Sequence, residues 1–381
     1  MNILIAATHI TRSNGGVSTH IVDLCRGLLK YGHNVVVTSA GGEYLDEIES
    51  LGITHYSFPF IDIQKHPIQM LKVFIELKRI VVDNNIDIVH THGQSLILFL
   101  QIIKKMTGVP FVWTNHIDAI PQPDLFKKLY RLSEFPIISV SIDLRQYIID
   151  NLGINRNKIT VINNGITVEN YHPLSESEKE QYRNQFGVSD TQIVITLPGR
   201  MTYGKGHRYL IEAVSKLNVR YPDKEFIVLF AGNAKGNGDI EYLNGILGLS
   251  ESMGVKTKYI GFQNLRNVLG ISNIMVLPSI YEGFGLVCVE AFLMKVPVIR
   301  SDSPGHTDME DICKVFQKQK PDELVKLLCN IIDNPKDTAE MVEHAYDKAC
   351  REYTKDSMVN KTIICYKKIV CGDKLIGSQH I

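Results

Sequence analysis

The residues best suited to chemistry stand in Pro278-Ser-Ile-Tyr-Glu-Gly-Phe-Gly-Leu-Val-Cys-Val-Glu290, where an apolar strand pattern ends and a helical one begins. Gly283 and Gly285 permit a tight turn whose backbone N–H groups can face an anion. The helix opening near Leu286 adds its positive N-terminal end. Glu282 precedes this anion site, and Glu290 lies about two turns into the helix on the face nearer the loop. One carboxylate can serve a transferred sugar; the other can accept two hydroxyls of a ribose. The competing reading is a helix start with one solvated acid and one buried Glu. A Glu inside Leu-Val-Cys-Val-Glu-Ala-Phe-Leu needs a partner, and a ribose supplies one.

A second loop, Gly199-Arg-Met-Thr-Tyr-Gly-Lys-Gly206, follows an apolar strand and precedes a helix. Arg200 can fork onto phosphate oxygens and Lys205 adds a point charge, so the loop suits a diphosphate. Such cations can stabilise a departing nucleoside diphosphate without a divalent metal. Gly206 after Lys205, where a Walker loop has Ser or Thr, excludes that motif. A surface turn is the competing reading. The Gly15-Gly16 pair after the first strand lets backbone approach a ligand or simply makes a tight turn, and it lacks the dinucleotide fingerprint. His90, His92 and His116 stand at strand ends, where they can bind or position a sugar. A zinc site needs further ligands, which the sequence does not offer convincingly, and no Asp-x-Asp stands at a strand end. No metal and no resident cofactor are expected.

These loops need strands and helices to hold them. Asn2–Ala7, Asn34–Ala40, Asp87–His92, Phe111–His116, Ile137–Ser141 and Ile159–Asn164 read as buried strands, alternating with helices such as Ser18–Tyr31 and Asp143–Leu152. A second series begins at Ile193 after a polar passage. This rhythm predicts an α/β chain of two tandem doubly wound Rossmann-like domains facing a cleft. The expected division is residues 1–172, a first domain; 173–190, a linker; 191–352, a second domain that carries the nucleotide-sugar-binding loops; and 353–371, a last helix.

The 381 residues suffice for two domains, and 44% are hydrophobic. The balance of 41 basic and 41 acidic residues argues against nucleic acid as a partner. Seven cysteines without a C-x-x-C fit thiols in a reducing compartment. The N-terminus has no basic n-region, and no apolar run is long enough to cross a bilayer, so the cytoplasm is expected. The stretch Gln64–Arg79, with Lys104-Lys105 and Lys127-Lys128, is either an ordinary solvated face or a basic surface for the inner membrane leaflet.

In this order, Gly15-Gly16, Asp87-Ile-Val-His-Thr-His92, Asn163-Asn-Gly165, Gly199-Arg200 through Lys205-Gly206 and Glu282 through Glu290 resemble the retaining GT-B glycosyltransferases of family 4, the large group 1 family. The resemblance implies that Arg200 and Lys205 hold the donor diphosphate and Glu290 the ribose. Glu282 and the backbone of Gly283, Phe284, Gly285 and Leu286 would hold the transferred sugar and phosphates. His116 would lie near the reacting sugar, Gly15-Gly16 would close on the diphosphate, residues 1–172 would form the acceptor-side domain, and the helix of 353–371 would pack back on it. It further implies retention without a covalent intermediate, a UDP-sugar as the commonest donor, and a glycan or lipid-linked acceptor in cell-surface polysaccharide synthesis. Two departures stand out. Asn164-Gly-Ile-Thr167 replaces the frequent Asn-Gly-Val-Asp, and Ser303-Pro-Gly-His-Thr-Asp308 replaces a Gly-Gly-containing loop near the donor sugar. The rival functions are a nucleotide-sugar epimerase of the same fold and an inactive sugar-nucleotide binding protein.

Overall fold

The computed structural model describes residues 1–11, 16–58, 67–117 and 135–372. Gly15, the pair Lys127-Lys128 and the residues before Pro67 in the basic stretch lie outside them. The chain forms two compact units, residues 1–165 with 355–381, and residues 166–354.

In the first unit the strands are β1 (Asn2–Ala6), β2 (Asn34–Ser39), β3 (Thr54–Ser57), β4 (Ile88–Thr91), β5 (Phe111–Asn115), β6 (Ile137–Ser139) and β7 (Ile159–Val161). All pair in parallel, in the order β3-β2-β1-β4-β5-β6-β7. Successive residues feed opposite faces. Leu4, Val89, Phe111 and Trp113 enter one core, and Ile3, Ile5, Ile88 and Val112 enter the other. Both faces are therefore covered, which is why the strands read as continuous apolar runs. The helix Lys355–Cys371 completes the second core with Met358, Val359, Ile363 and Tyr366. It packs on the helix Gly16–Lys30, where Lys355 Nζ meets the buried Asp23 carboxylate at 2.5 Å.

The second unit contains β8 (Ile193–Pro198), β9 (Phe226–Ala231), β10 (Thr257–Gly261), β11 (Ile274–Leu277), β12 (Val298–Ser301) and β13 (Lys314–Phe316), ordered β10-β9-β8-β11-β12-β13 and all parallel. In each sheet the strand order reverses beside the first strand: between β1 and β4, and between β8 and β11. Ligands of open α/β sheets bind beyond the strand ends at that point.

Residues 173–190, expected as a linker, belong to the body of the second unit. A capping box at Ser175 and Glu178 starts the helix Glu176–Phe186, and Gly187 ends it. Leu174, Phe186 and Val188 pack on Val194, Ile227 and Leu229 of the sheet. The passage between units lies earlier, at Gly165–Ile166, and the return is at Thr354–Lys355. Ile166 and Tyr353, flanking these crossings, are hydrogen-bonded backbone to backbone.

Candidate functional site

At the switch point of the second sheet, the loop after β8 lies against the loop after β11. The amide of Ile280 donates to the Gly204 carbonyl at 2.8 Å. Gly206 has φ 72°, and a Cβ there would stand 2.0 Å from the Pro278 carbonyl oxygen, so the contact requires glycine. The Lys205 side chain lies over Gly199 and ends 2.7 Å from Glu282 Oε2. Both side chains are mostly covered, at 21% and 16% exposure. Ser279 also donates to Glu282, at 3.3 Å. Burial alone would raise the Glu282 carboxyl; the Lys205 ammonium, its hydrogen bond, the Arg300 charge and the Gly283 amide outweigh it and hold it below the usual range. Arg200 is exposed in the same loop, beside Gly199.

Beneath this pair sits Arg300, the penultimate residue of β12, with no exposed surface. Its Nη1 donates to the carbonyls of Phe284 at 3.0 Å and Gly305 at 2.9 Å; its Nη2 donates to those of Ser303 at 3.2 Å and Pro304 at 2.9 Å. One guanidinium thus ties the Glu282–Gly285 turn to the Ser303–Gly305 turn. Phe284 points its ring into the core, 5.4 Å from the ring of Tyr353, which leaves its backbone for a ligand. Gly285, at φ 90°, opens the helix Leu286–Leu293.

On that helix, Glu290 Oε1 accepts a hydrogen bond from the Tyr171 hydroxyl at 2.8 Å. Its Oε2 is buried and has no hydrogen bond among the described residues. Burial pushes the carboxyl up, and the Tyr171 bond only partly offsets this, leaving it at about 7.

The first sheet has its own polar cluster at its switch point. His92 follows β4, His116 lies just beyond β5, and His20 projects from the helix Gly16–Lys30. His92 Nδ1 and His116 Nε2 are 2.9 Å apart. The ring of His20 lies 4.9 Å from that of His116 and 5.4 Å from that of His92. Beside them, His90 bonds Tyr366 Oη at 2.5 Å and Thr114 Oγ1 at 2.6 Å. Burial lowers His20 to about 4, an Asn164 hydrogen bond opposing it. Burial, followed by mutual repulsion, holds His90, His92 and His116 well below their usual value. Both effects favour the neutral imidazoles. Gly16, the first residue of the helix, is exposed.

Two family models match the chain in succession: Glycosyltransferase Family 4 over residues 14–170 and Glycosyl transferases group 1 over residues 178–348. The chain belongs to the group 1 glycosyltransferases. An uncharacterized glycosyltransferase of Methanocaldococcus jannaschii is 26% identical over 93% of this chain and 94% of its own. A glycosyltransferase crystal structure from Rickettsia africae superposes with a TM-score of 0.88, at 25% identity, over 97% of this chain and 98% of that one. HepE of Anabaena, solved with UDP, does so at 0.82 and 19% identity, over 97% and 100%; it has also been solved with UDP-glucose. The fold is GT-B.

Within this glycosyltransferase the structure brings Lys205, Glu282, Gly283, Phe284 and Gly285 together, with Leu286 and Glu290 on the adjoining helix. Sequence reasoning missed three contributors. His20 supplies the third imidazole that the sequence did not offer; it reads as one polar residue of an amphipathic helix. Arg300 reads as the end of a strand, although a cation closing Val-Pro-Val-Ile-Arg was a signal. Tyr171 lay in the passage between the two series of elements, with nothing to mark its hydroxyl.

Proposed function

We propose that this glycosyltransferase moves a hexose or N-acetylhexosamine from a UDP-sugar to a glycan or lipid-linked acceptor, with retention of the anomeric configuration. The observation that carries the reading is the Lys205–Glu282 pair at the switch point of the second sheet, one helix away from a Glu290 carboxylate with an oxygen to spare. Lys205 and Arg200 neutralise the departing diphosphate, and the amides of Gly283 to Leu286 at the helix start take its oxygens. Glu290 accepts the ribose hydroxyls. The UDP complexes of the Anabaena neighbour support the choice of nucleotide.

In this reading the acceptor oxygen bonds to the anomeric carbon on the face that the diphosphate leaves. The C–O bond to phosphate breaks, and the acceptor proton passes to a phosphate oxygen. Glu282, already engaged by Lys205, orients the sugar and forms no covalent bond. His116 keeps its family role beside the reacting sugar as part of the same proposal.

The test is a thermal-shift panel of UDP-, GDP- and ADP-sugars, followed by product analysis with and without acceptor. Stabilisation by UDP-sugars and an acceptor-dependent α-linked or β-linked product matching the donor's configuration are expected. An epimer from donor alone, or binding without turnover, would establish one of the two rival functions instead.

Membrane contact is a second reading favoured by one observation. Leu71, Ile75 and Val82 on the helix Pro67–Asp83, with Ile102 and Met106 on Ile97–Thr107, are about half exposed or more, among Lys72, Lys104 and Lys105. Co-sedimentation with anionic but not neutral vesicles tests it.

A further inference from the structure

We propose that His20, His92 and His116 form a site for one divalent transition-metal ion, with zinc the ion best suited, and that this ion inhibits transfer. Three separate elements deliver the imidazoles to one point at the switch of the first sheet: the second turn of the helix Gly16–Lys30, the end of β4 and the end of β5. One ligand nitrogen from each lies within 4.8 Å of the others. Three nitrogens bound tetrahedrally to zinc at about 2.0–2.1 Å stand about 3.3 Å apart. The His92 Nδ1–His116 Nε2 pair, 2.9 Å apart, is already close to that span.

Donor chemistry narrows the ion. The trio offers imidazole and no carboxylate, a set that favours zinc, copper or nickel over magnesium or calcium. His20 Nδ1 is buried without a hydrogen-bond partner among the described residues, while His92 Nδ1 and His116 Nε2 face one another. The surroundings restrain the rings as outer partners restrain metal ligands. His90 lies against His92, with ring centroids 4.2 Å apart, and is held by Tyr366 and Thr114. Three protein ligands leave a tetrahedral ion one position for water or an incoming hydroxyl.

Inhibition rests on the function proposed above, since an ion that takes the His116 imidazole withdraws it from the sugar. Metal binding itself can be read without any activity. The full chain is stripped with chelator, dialysed against zinc and assayed for metal content, then titrated with cobalt while visible absorption is followed. One ion per chain and the intense bands of tetrahedral cobalt are expected. His20→Ala and the closer-sized His20→Gln should each weaken binding at least tenfold, with melting curves showing both variants folded. In the transfer assay zinc should inhibit the parent chain at least tenfold more strongly than His20→Ala, each measured against its own metal-free rate. Failure to bind stoichiometrically, or binding unchanged in both His20 variants, overturns the site. An ion that binds the trio and leaves transfer unaffected overturns the inhibition.

Discussion

The Lys205 ammonium lies 2.7 Å from the Glu282 carboxylate, joining the loop after β8 to the loop after β11. In the proposed donor site a diphosphate at the helix start would share this lysine, so the pair would set donor affinity and sugar orientation together. Glu282→Gln removes the charge and keeps the shape. It is expected to lower kcat by about 100-fold or more while nucleotide binding holds or tightens. Lys205→Ala should instead weaken UDP binding about tenfold or more. Steady-state kinetics and calorimetric titration with UDP check both, and near-parental turnover in Glu282→Gln would remove it from the reaction.

Nucleotide binding should depend on pH if Glu290 accepts the ribose as proposed. Its carboxyl is protonated up to about pH 7 in the free protein, and ribose hydroxyls favour the ionised form. UDP affinity should therefore fall about tenfold per unit as pH drops below 7, and be flat above it. Stability runs the other way. The folded chain holds a proton that the unfolded chain releases above 4.5, so this contribution is full at low pH and is lost as pH rises through 7. Glu290→Gln should abolish the affinity slope and stabilise the protein at pH 8 by roughly 3 kcal/mol. Calorimetry from pH 5.5 to about 8.5 covers the range.

Arg300 is a buried cation satisfied by carbonyl oxygens. Arg300→Met removes the charge but strands the carbonyls of Phe284, Ser303, Pro304 and Gly305. The expected cost is about 3 kcal/mol or more, a fall in Tm of several degrees. The Glu282 carboxyl also loses one of the charges that depress it. Thermal melts of the variant, with Arg300→Lys as a shorter cation, measure the loss; an unchanged Tm in both would show that the turns do not depend on it.

Gly206→Ala tests the packing of the two loops directly. The new Cβ meets the Pro278 carbonyl at 2.0 Å with backbone in the left-handed region. Moving either loop costs about 1–3 kcal/mol and displaces Lys205 from Glu282. Lower Tm and weaker UDP binding are expected together, by thermal shift with and without nucleotide.

Much of the architecture was legible because it is local. A buried parallel strand must be apolar throughout, and a helix that follows it must repeat every 3.6 residues, so the alternation of elements could be read. So could the loops that carry Lys205 and Glu282 and the start of the helix that carries Glu290, because glycine at a strand-to-helix turn is a local requirement. The strands β3 and β13 were not seen. Each lies at the edge of its sheet and is short, and β3 reads Thr-His-Tyr-Ser. Residues 173–190 look like a linker because a helix with one apolar stripe resembles a polar passage until the sheet it covers is known.

Chain order and side-chain type alone determined the two α/β series and the residues that ring the glycine-bearing loops after β8 and β11. Only the tertiary structure decided which distant groups meet. Tyr366 reaches His90 across 276 positions of sequence, Tyr171 reaches Glu290 across 119, and His20 joins His92 and His116. Those meetings follow from strand order and helix packing. Both are settled by long-range burial, which leaves no period or spacing in the sequence to read.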